Sequence, residues 1–174
     1  MKFTYCPHCG EKLIQKEIGD EGLIPYCTTC QKPLFPTFYT CTINLVINEY
    51  QEVALLRQDY VSTENYVCVA GYMKPGERAE DSARREIKEE LGIEVQSLHY
   101  INSYPLGEKG LLMLGFVALV HKASFTLSRE VDSACWFTYQ EALPKMREGS
   151  TAKQLLVEGF AASLKFPKSP AQKR

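Results

Sequence analysis

The chain has 174 residues, of which 45% are hydrophobic and 24% are charged, and its net charge is −1. This composition fits a globular protein with one sizeable core and a small appendage. The near-zero charge argues against a general affinity for polyanions, and we find neither an apolar run of membrane-spanning length nor a signal-peptide pattern. Four of the seven cysteines form CxxC pairs, which favours metal binding in a reducing compartment. We therefore expect a cytoplasmic protein.

Residues 1–36 carry the CxxC pairs, with seventeen residues between the two pairs. This is zinc-ribbon spacing, and it predicts that one structural Zn²⁺ is bound by Cys6, Cys9, Cys27 and Cys30. A segment this short cannot bury enough apolar surface to fold alone, so the ion would supply much of its folding energy. Two matched pairs disfavour a redox role, and four thiolates leave no open position for catalysis. Short strands are expected at 12–17 and 23–26.

The predicted ribbon has few basic residues and no interleaving of aromatic and basic residues, which disfavours a nucleic-acid-binding role. We expect it to be structural, or to contribute to a dimer interface or a substrate pocket. An RNA-engaging ribbon stays open as an alternative, with a capped RNA as its partner.

Residues 37–164 alternate strand and helix patterns, which predicts an α/β layered fold. The tail at 165–174 is basic and contains proline, and we expect it to be flexible. Ser150 is a plausible N-cap of the last helix. The expected strands are 40–48, 52–58, 66–70, 94–103, 111–121 and 134–137, and the last two helices are 140–147 and 151–164.

An acid-rich helix is predicted shortly after Pro75-Gly76, with its C-terminal stop at Gly92. It places Glu86, Glu89 and Glu90 at i, i+3 and i+4, so that the three carboxylates share one face. Like charges at this spacing repel each other, and a hard cation such as Mg²⁺ or Mn²⁺ suits such a patch. A solvated acidic helix is the alternative interpretation.

The pattern from Gly71 to Ile93 decides between these interpretations. It matches G-x5-E-x7-R-E-U-x-E-E-x-G-U, with U aliphatic, at every fixed position, and therefore resembles the Nudix box. The resemblance implies an α/β/α sandwich with a mixed sheet. It also implies an enzyme that hydrolyses the pyrophosphate bond of a nucleoside diphosphate linked to another moiety, with a divalent cation as cofactor.

The box assigns roles to particular residues by resemblance. Glu86 and Glu90 would be the strongest ligands of Mg²⁺ or Mn²⁺, Glu89 would be a ligand or the water-activating base, and the Gly71 carbonyl would complete the ligand set. Arg85 and Glu77 would pair to hold the loop on the helix. The resemblance does not fix which glutamate is the base.

A further metal ligand is expected downstream, because Nudix domains often place a glutamate shortly before a Trp-Phe strand. Glu130 precedes Trp136-Phe137 and matches best. An exposed loop acid without a role is the equal alternative.

A zinc ribbon ahead of a Nudix domain resembles the NADH pyrophosphatase group, also called NAD-capped RNA decapping enzymes. Phe35-Pro36 and Ser150-Thr151-Ala152 resemble short elements of that group. Its signature S-Q-P-W-P-F-P-x-S, followed by L-M-x-G-F, aligns with 103–116, but Leu106-Gly107-Glu108-Lys109 replaces W-P-F-P. Those aromatic residues are associated with nicotinamide-dinucleotide recognition in the group. NAD(H) is the expected substrate, and ADP-ribose, FAD, another dinucleotide or a capped RNA are alternatives.

Tyr72 and Tyr104 are candidate substrate-binding residues, because a tyrosine ring can stack on a base. The alternative of another class is a non-catalytic Nudix regulator that senses a nucleotide. Such regulators tend to lose carboxylates of the box, and this chain keeps all of them. A homodimer is expected by analogy with the group.

Overall fold

The computed structural model describes residues 3–166, so 167–174 of the predicted tail lie outside the described residues. The described chain separates into two compact units. The first contains the residues up to Tyr39 together with Gly107–Leu111, and the second contains Thr40–Leu106 and the residues from Leu112 onward. The expected boundary at 36/37 falls within the first unit.

The first unit contains a small antiparallel sheet of three strands. They are β1 (Ile14–Glu17), β2 (Leu23–Cys27) and β3 (Lys32–Pro33), in the order β1-β2-β3. A 3-10 turn at Gly19–Glu21 joins β1 to β2. Both strands expected in this region are present, and only β3, which is two residues long, lacked a sequence signal.

The second unit is built on a seven-stranded sheet in the order β10-β5-β4-β9-β8, with β6 added beside β5 and β7 beside β4. Its strands are β4 (Tyr39–Asn48), β5 (Val53–Gln58), β6 (Ser62–Val67), β7 (Val69–Tyr72), β8 (Val95–Leu106), β9 (Leu111–Val120) and β10 (Ser133–Phe137). Its helices are α1 (Ala79–Leu91), α2 (Tyr139–Ala142) and α3 (Thr151–Ser163). None of these helices is long and apolar enough to span a bilayer.

Two hydrophobic clusters form on opposite faces of this sheet, because successive side chains of a strand point in opposite directions. Leu45 and Leu55 belong to the cluster that contains Leu155 of α3, whereas Val46 and Leu56 belong to the cluster that contains residues of α1. The sheet is therefore covered by helices on both faces, and the expected α/β sandwich is confirmed.

Local signals explain where the later helices begin. The Ser150 hydroxyl accepts a hydrogen bond from the backbone N–H of Lys153 at 3.2 Å, so the predicted N-cap of α3 is confirmed. Thr138 and Glu141 form a capping box at the start of α2.

Two expectations about local structure were wrong. The strand expected at 66–70 is divided at Cys68, because β6 pairs with β5 whereas β7 pairs with β4. The helix expected at 140–147 is α-helical only to Ala142 and continues as a 3-10 turn over Leu143–Lys145, where Pro144 has no N–H to donate.

Candidate functional site

Helix α1 has clear boundaries in the sequence. Glu80 and Asp81 lie in its first turn, where acidic side chains interact favourably with the helix dipole. At its end Gly92 adopts φ 72°, and its N–H donates to the carbonyl of Lys88. A glycine is suited to this left-handed conformation, so the helix stops where the sequence predicts.

One side of α1 packs on the sheet through residues that are fully buried, namely Ala83, Ile87 and Leu91. The acidic residues of the helix differ in their exposure. Glu90 is only 4% exposed, and the side chain of Glu86 is 12% exposed, whereas that of Glu89 is 53% exposed. The predicted acidic face is thus graded from a buried carboxylate to a solvated one.

Arg85 and Glu77 hold the preceding turn on the helix. Arg85 Nε donates to Glu77 Oε1 at 2.7 Å, and Arg85 Nη2 donates to Glu77 Oε2 at 2.9 Å. Glu77 Oε2 also accepts the backbone N–H of Lys74 at 2.9 Å. The Arg85 guanidinium therefore lowers the pKa of Glu77 to about 2. This bidentate ion pair is the pairing of Arg85 with Glu77 that the Nudix box implies.

The same guanidinium also contacts two of the clustered glutamates. Arg85 Nη1 lies 2.6 Å from Glu86 Oε1 and 3.0 Å from Glu89 Oε2, and Arg85 Nη2 donates to the carbonyl of Tyr72 at 3.2 Å. One positive charge thus serves Glu77, Glu86 and Glu89. The surroundings stay strongly negative, as a cation site requires.

Gly71 leaves room for the Glu86 carboxylate. Gly71 pairs with Thr42 across β7 and β4. A Cβ atom added at Gly71 would lie 2.0 Å from Glu86 Cδ and 2.1 Å from its Oε1. Any larger residue would therefore displace the carboxylate, which explains physically why this position of the box is glycine.

Glu90 is a buried acid with one unused oxygen. Its Oε1 accepts a hydrogen bond from Gln58 Nε2 at 3.2 Å, and its Oε2 has no hydrogen-bond partner within the described residues. Burial raises the pKa of Glu90 to about 8, with added repulsion from Glu86, Glu130 and Glu89. An unpaired buried carboxylate is costly unless a cation or a proton compensates it.

Glu130 is exposed on a loop that is tied to the end of α1. The backbone N–H of Ser128 lies 3.4 Å from the carbonyl oxygen of Glu90, and the Ser128 hydroxyl accepts the N–H of Glu130 at 3.3 Å. Further along this loop, Asp132 Oδ2 accepts the N–H of Asp59 at 2.7 Å. The loop is thus attached both to α1 and to the β5–β6 turn, and the charge of Glu130 acts on Glu90.

These residues fit a divalent cation by the chemistry of their donors. Carboxylate oxygens are the ligands that Mg²⁺ and Mn²⁺ prefer. The free Oε2 of Glu90 and the recess at Gly71 that receives Glu86 supply the structural support. In the described part of the chain, however, three acidic ligand atoms do not come together as tightly as the cysteine sulfurs do. Glu86 and Glu89 each form an ion pair with Arg85 instead of converging on a common point.

The two candidate tyrosines differ in exposure. Tyr72 is 62% exposed at the end of β7, directly after Gly71. Tyr104 is only 5% exposed, belongs to the hydrophobic core, and donates its hydroxyl hydrogen to Glu158 Oε2 at 2.7 Å. The prediction of Tyr104 as a base-stacking residue is therefore wrong, because its ring face is occupied by the core.

The four cysteines of the first unit form a compact cluster. All four Sγ atoms lie within 4.8 Å of one another. The Cys9–Cys27 sulfurs are 3.4 Å apart and the Cys6–Cys30 sulfurs 3.9 Å apart. These distances are too long for disulfides, and they bracket the separation of about 3.8 Å that a tetrahedral Zn–S distance of 2.3 Å gives.

Backbone hydrogen bonds shape the turns that carry the four cysteines. Gly10 adopts φ 76°, and its N–H donates to the Cys6 carbonyl at 2.9 Å, which closes the first CxxC turn. The N–H of Cys30 donates to Cys27 Sγ at 3.3 Å. A hydrogen bond from the backbone of His8 lowers the pKa of Cys6 to about 7, whereas the neighbouring Cys9 raises the pKa of Cys30 to about 12. Four cysteine sulfurs this close together suit one tetrahedrally bound metal ion.

Gln58 and Asp132 contact the site or its loop but were not predicted from the sequence. Gln58 follows Arg57 at the end of β5, after the apolar run 53–56, and this polar strand end was the one available signal. Asp132 gave no signal, because its partner Asp59 is distant in sequence.

The NUDIX domain family matches residues 40–156 of the chain. The chain belongs to the Nudix family. The match begins one residue after the start of β4 and ends within α3, so it spans most of the second unit.

Several curated proteins are similar to the chain, and two of those described next are named NAD-capped RNA hydrolases. The chain is 28% identical over 153 residues to "NAD-capped RNA hydrolase NudC" of Vibrio vulnificus, covering 87% of this chain and 57% of the relative. It is 35% identical over 146 residues to "Nudix hydrolase 19, chloroplastic" of Arabidopsis thaliana, covering 79% and 33%. Human "NAD-capped RNA hydrolase NUDT12" is 29% identical over 155 residues, covering 85% and 34%. The chain thus spans between a third and three fifths of the length of these relatives.

Solved structures agree on the fold. A NUDIX hydrolase from Nitrosomonas europaea superposes with a TM-score of 0.73 at 19% identity, covering 91% of each chain. The NUDIX domain of NrtR from Shewanella oneidensis, which was crystallised with ADP ribose, gives a TM-score of 0.63 at 12% identity, covering 79% of this chain and 94% of that domain. At these identities the likeness establishes the fold alone.

Proposed function

We propose that the chain hydrolyses the pyrophosphate bond of a nucleoside diphosphate derivative, with NAD(H) as the leading substrate. The observation that carries the proposal is the buried Glu90, whose Oε2 has no partner in the described residues and which lies one helical turn from Glu86. The relatives named NAD-capped RNA hydrolases support the nicotinamide-dinucleotide class.

Glu86 and Glu90, with the Gly71 carbonyl, would hold Mg²⁺ or Mn²⁺, and Glu89 and Glu130 border the same acidic cluster. When bound, the ion neutralises charge on the phosphate oxygens and lowers the pKa of water. The chain itself supplies the orientation. Arg85 fixes Glu86 and Glu89 against the turn that carries Glu77.

Hydrolysis of a dinucleotide needs a base near the reacting water. The water oxygen bonds to one phosphorus, the bridging P–O bond breaks, and two phosphate monoesters are released. Glu89 suits the role of the base, because its side chain is half exposed and, within residues 3–166, forms an ion pair only with Arg85, at 3.0 Å. Tyr72, exposed beside Gly71, is the residue we propose to contact the base of the substrate.

A second candidate substrate class follows from the β8–β9 connection. Leu106 ends β8, and a 3-10 turn at Gly107–Lys109 precedes β9. This connection offers no aromatic side chain for stacking, whereas the group's W-P-F-P offers two. ADP-ribose, FAD or another dinucleotide is therefore the alternative to NAD(H).

The test is turnover with Mg²⁺ and with Mn²⁺ across NADH, NAD⁺, ADP-ribose, FAD and an NAD-capped RNA, with products followed by ³¹P NMR. We expect two monophosphates from a preferred dinucleotide. A preference for NADH or NAD⁺ supports the leading substrate, and a preference for another compound supports the alternative. Nucleotide binding without hydrolysis under either ion would contradict the enzyme and favour a regulator.

We propose that Cys6, Cys9, Cys27 and Cys30 bind one structural Zn²⁺, which their sulfur geometry supports. A homodimer and a cytoplasmic location stay predictions, and light scattering after gel filtration tests the former.

A further inference from the structure

Gln58 is a buried amide at the end of β5 that touches the acidic cluster. The residue is 4% exposed, and its Nε2 donates to Glu90 Oε1 at 3.2 Å. We propose that Gln58 is a positioning residue, which orients the Glu90 carboxylate so that Oε2 is presented to a divalent cation. This inference rests on the proposed function, because it assumes that Glu90 binds the ion.

The strand places Gln58 by its alternation. Ala54 and Leu56 lie on the face of β5 that packs in the same cluster as Ile87 and Leu91 of α1. Gln58 is the next residue of this row and shares its face, since alternate residues of a strand point the same way. The pairing of β5 with β6 shifts register between Leu56 and Gln58, but the extra residues lie on β6, so the alternation along β5 is kept.

The chemistry of an amide suits this position. A carboxylate has two oxygens, and Gln58 occupies Oε1 while Oε2 keeps no hydrogen-bond partner in the described residues. A lysine or arginine in the place of Gln58 would neutralise the charge that a cation needs. An apolar residue would leave both oxygens unpaired and the side chain free to rotate. The neutral donor fixes the carboxylate and preserves its charge.

A purely structural role for Gln58 makes a different prediction. If the amide only satisfies a buried acid, its loss lowers the stability of the fold without a specific change in metal affinity. If the amide orients Glu90, its loss weakens binding of the ion even in a folded variant. Hydrogen bonds from outside the ligand set typically change metal affinity by about 10–100-fold when removed.

The test is Mn²⁺ titration of the full, zinc-loaded chain, monitored by electron paramagnetic resonance. Gln58→Met keeps most of the side-chain volume and removes the donor. We expect its Kd for Mn²⁺ to rise about 10-fold or more. In turnover assays, the Mn²⁺ concentration for half-maximal rate should rise in parallel, with kcat largely kept at saturating Mn²⁺. Gln154→Met is the matched control, because Gln154 Nε2 makes the same kind of bond to Glu158 Oε1, at 2.8 Å, on α3.

The control should bind Mn²⁺ like the wild type. A folded Gln58→Met with wild-type Mn²⁺ affinity would overturn the inference, whatever its melting temperature. If Gln58→Met does not fold, Gln58→Asn takes its place, because the shorter side chain keeps polarity but withdraws the donor from Glu90. The same weakening is expected, and unchanged affinity overturns the inference equally.

Glu90→Gln separates this inference from the proposed function. A wild-type Mn²⁺ site that survives Glu90→Gln would contradict the proposed cation site itself, and the role of Gln58 with it. A site that Glu90→Gln removes and Gln58→Met leaves intact would contradict the role of Gln58 alone.

Discussion

The two candidate metal sites of this chain are built on opposite principles. The four cysteine sulfurs of the first unit already lie within 4.8 Å of one another, at the spacing of a closed tetrahedral site. The glutamates of α1 are less compact, since Arg85 draws Glu86 and Glu89 to itself and Gln58 bonds Glu90. The cysteine site has the geometry of a permanent structural ion, and the acidic cluster has that of an exchangeable one.

The difference follows from ligand chemistry. Thiolates bind Zn²⁺ tightly enough to drive the folding of a small unit, so their ligand set must be closed. A cation that helps to cleave a phosphate must leave positions open for substrate and water. An open site needs other side chains to hold its ligands when the ion is absent, and Arg85 and Gln58 do this here. Removal of single ligands or supporting side chains should therefore affect the two sites differently.

The largest effect is expected from Cys27→Ser. Loss of one thiolate should abolish tight zinc binding, which in zinc-finger peptides contributes about 10–16 kcal/mol. Metal analysis should find zinc in the wild type and almost none in the variant, and limited proteolysis should then cut within 3–36. Cys135→Ser is the control, because Cys135 is exposed and lies outside the cluster. Full zinc retention by Cys27→Ser would contradict the site.

Glu90→Gln should reduce turnover by about 10³-fold or more, because the stabilisation by a bound ion amounts to several kcal/mol. The amide has nearly the same shape, so the fold should persist, as circular dichroism can verify. Glu94→Gln is the matched control, since Glu94 is an exposed partner of Lys88. Activity within tenfold of the wild type would argue that Glu90 does not hold the ion.

Arg85→Lys should lower turnover by about 10–100-fold, because a lysine cannot bind Glu77 through two parallel bonds while also reaching Glu86. Arg84→Lys should behave like the wild type, since Arg84 is exposed and donates to the Val95 carbonyl, away from the acidic cluster. Steady-state kinetics with the preferred substrate measures both variants. Equal rates for the two variants would show that the contacts of Arg85 with Glu77 and Glu86 are dispensable for turnover.

A smaller effect is expected on the pH dependence of the free energy of unfolding when the acidic cluster of α1 holds no metal. Burial raises the pKa of Glu90 to about 8, whereas in the unfolded chain this pKa is near 4.5. A raised pKa means that the folded state binds the proton more tightly, so this contribution is complete below pH 4.5 and is lost as the pH rises to about 8. Denaturant unfolding in a chelator should show this loss in the wild type and not in Glu90→Gln. Identical pH profiles would contradict the burial argument.

Features encoded by neighbouring residues were predictable from the sequence. The end of α1 at Gly92 and the clustering of the four cysteines follow from spacing within short segments, and both are where expected. Gln58 was not predictable, because its contact with Glu90 joins positions that are 32 residues apart.

Tyr104 shows the same limit in the core. A Cβ atom on Gly115 would lie 2.6 Å from Tyr104 Cε2, so the absent side chain of that glycine makes room for the ring. This arrangement depends on the packing of two strands and of Glu158 on α3. In the sequence, Tyr104 is an aromatic residue close to the segment 106–109 that replaces W-P-F-P, and this position was compatible with a ligand contact.

The most direct test of the central claim is rescue of turnover by divalent cations in zinc-loaded protein that has been freed of other metals. Zinc content and hydrolysis of the preferred dinucleotide are measured together, in the wild type and in Glu90→Gln. We predict that Mg²⁺ or Mn²⁺ restores pyrophosphate cleavage in the wild type alone, while zinc stays bound in both. Cleavage without added ions, or equal rescue of Glu90→Gln, would contradict an exchangeable cation site on α1.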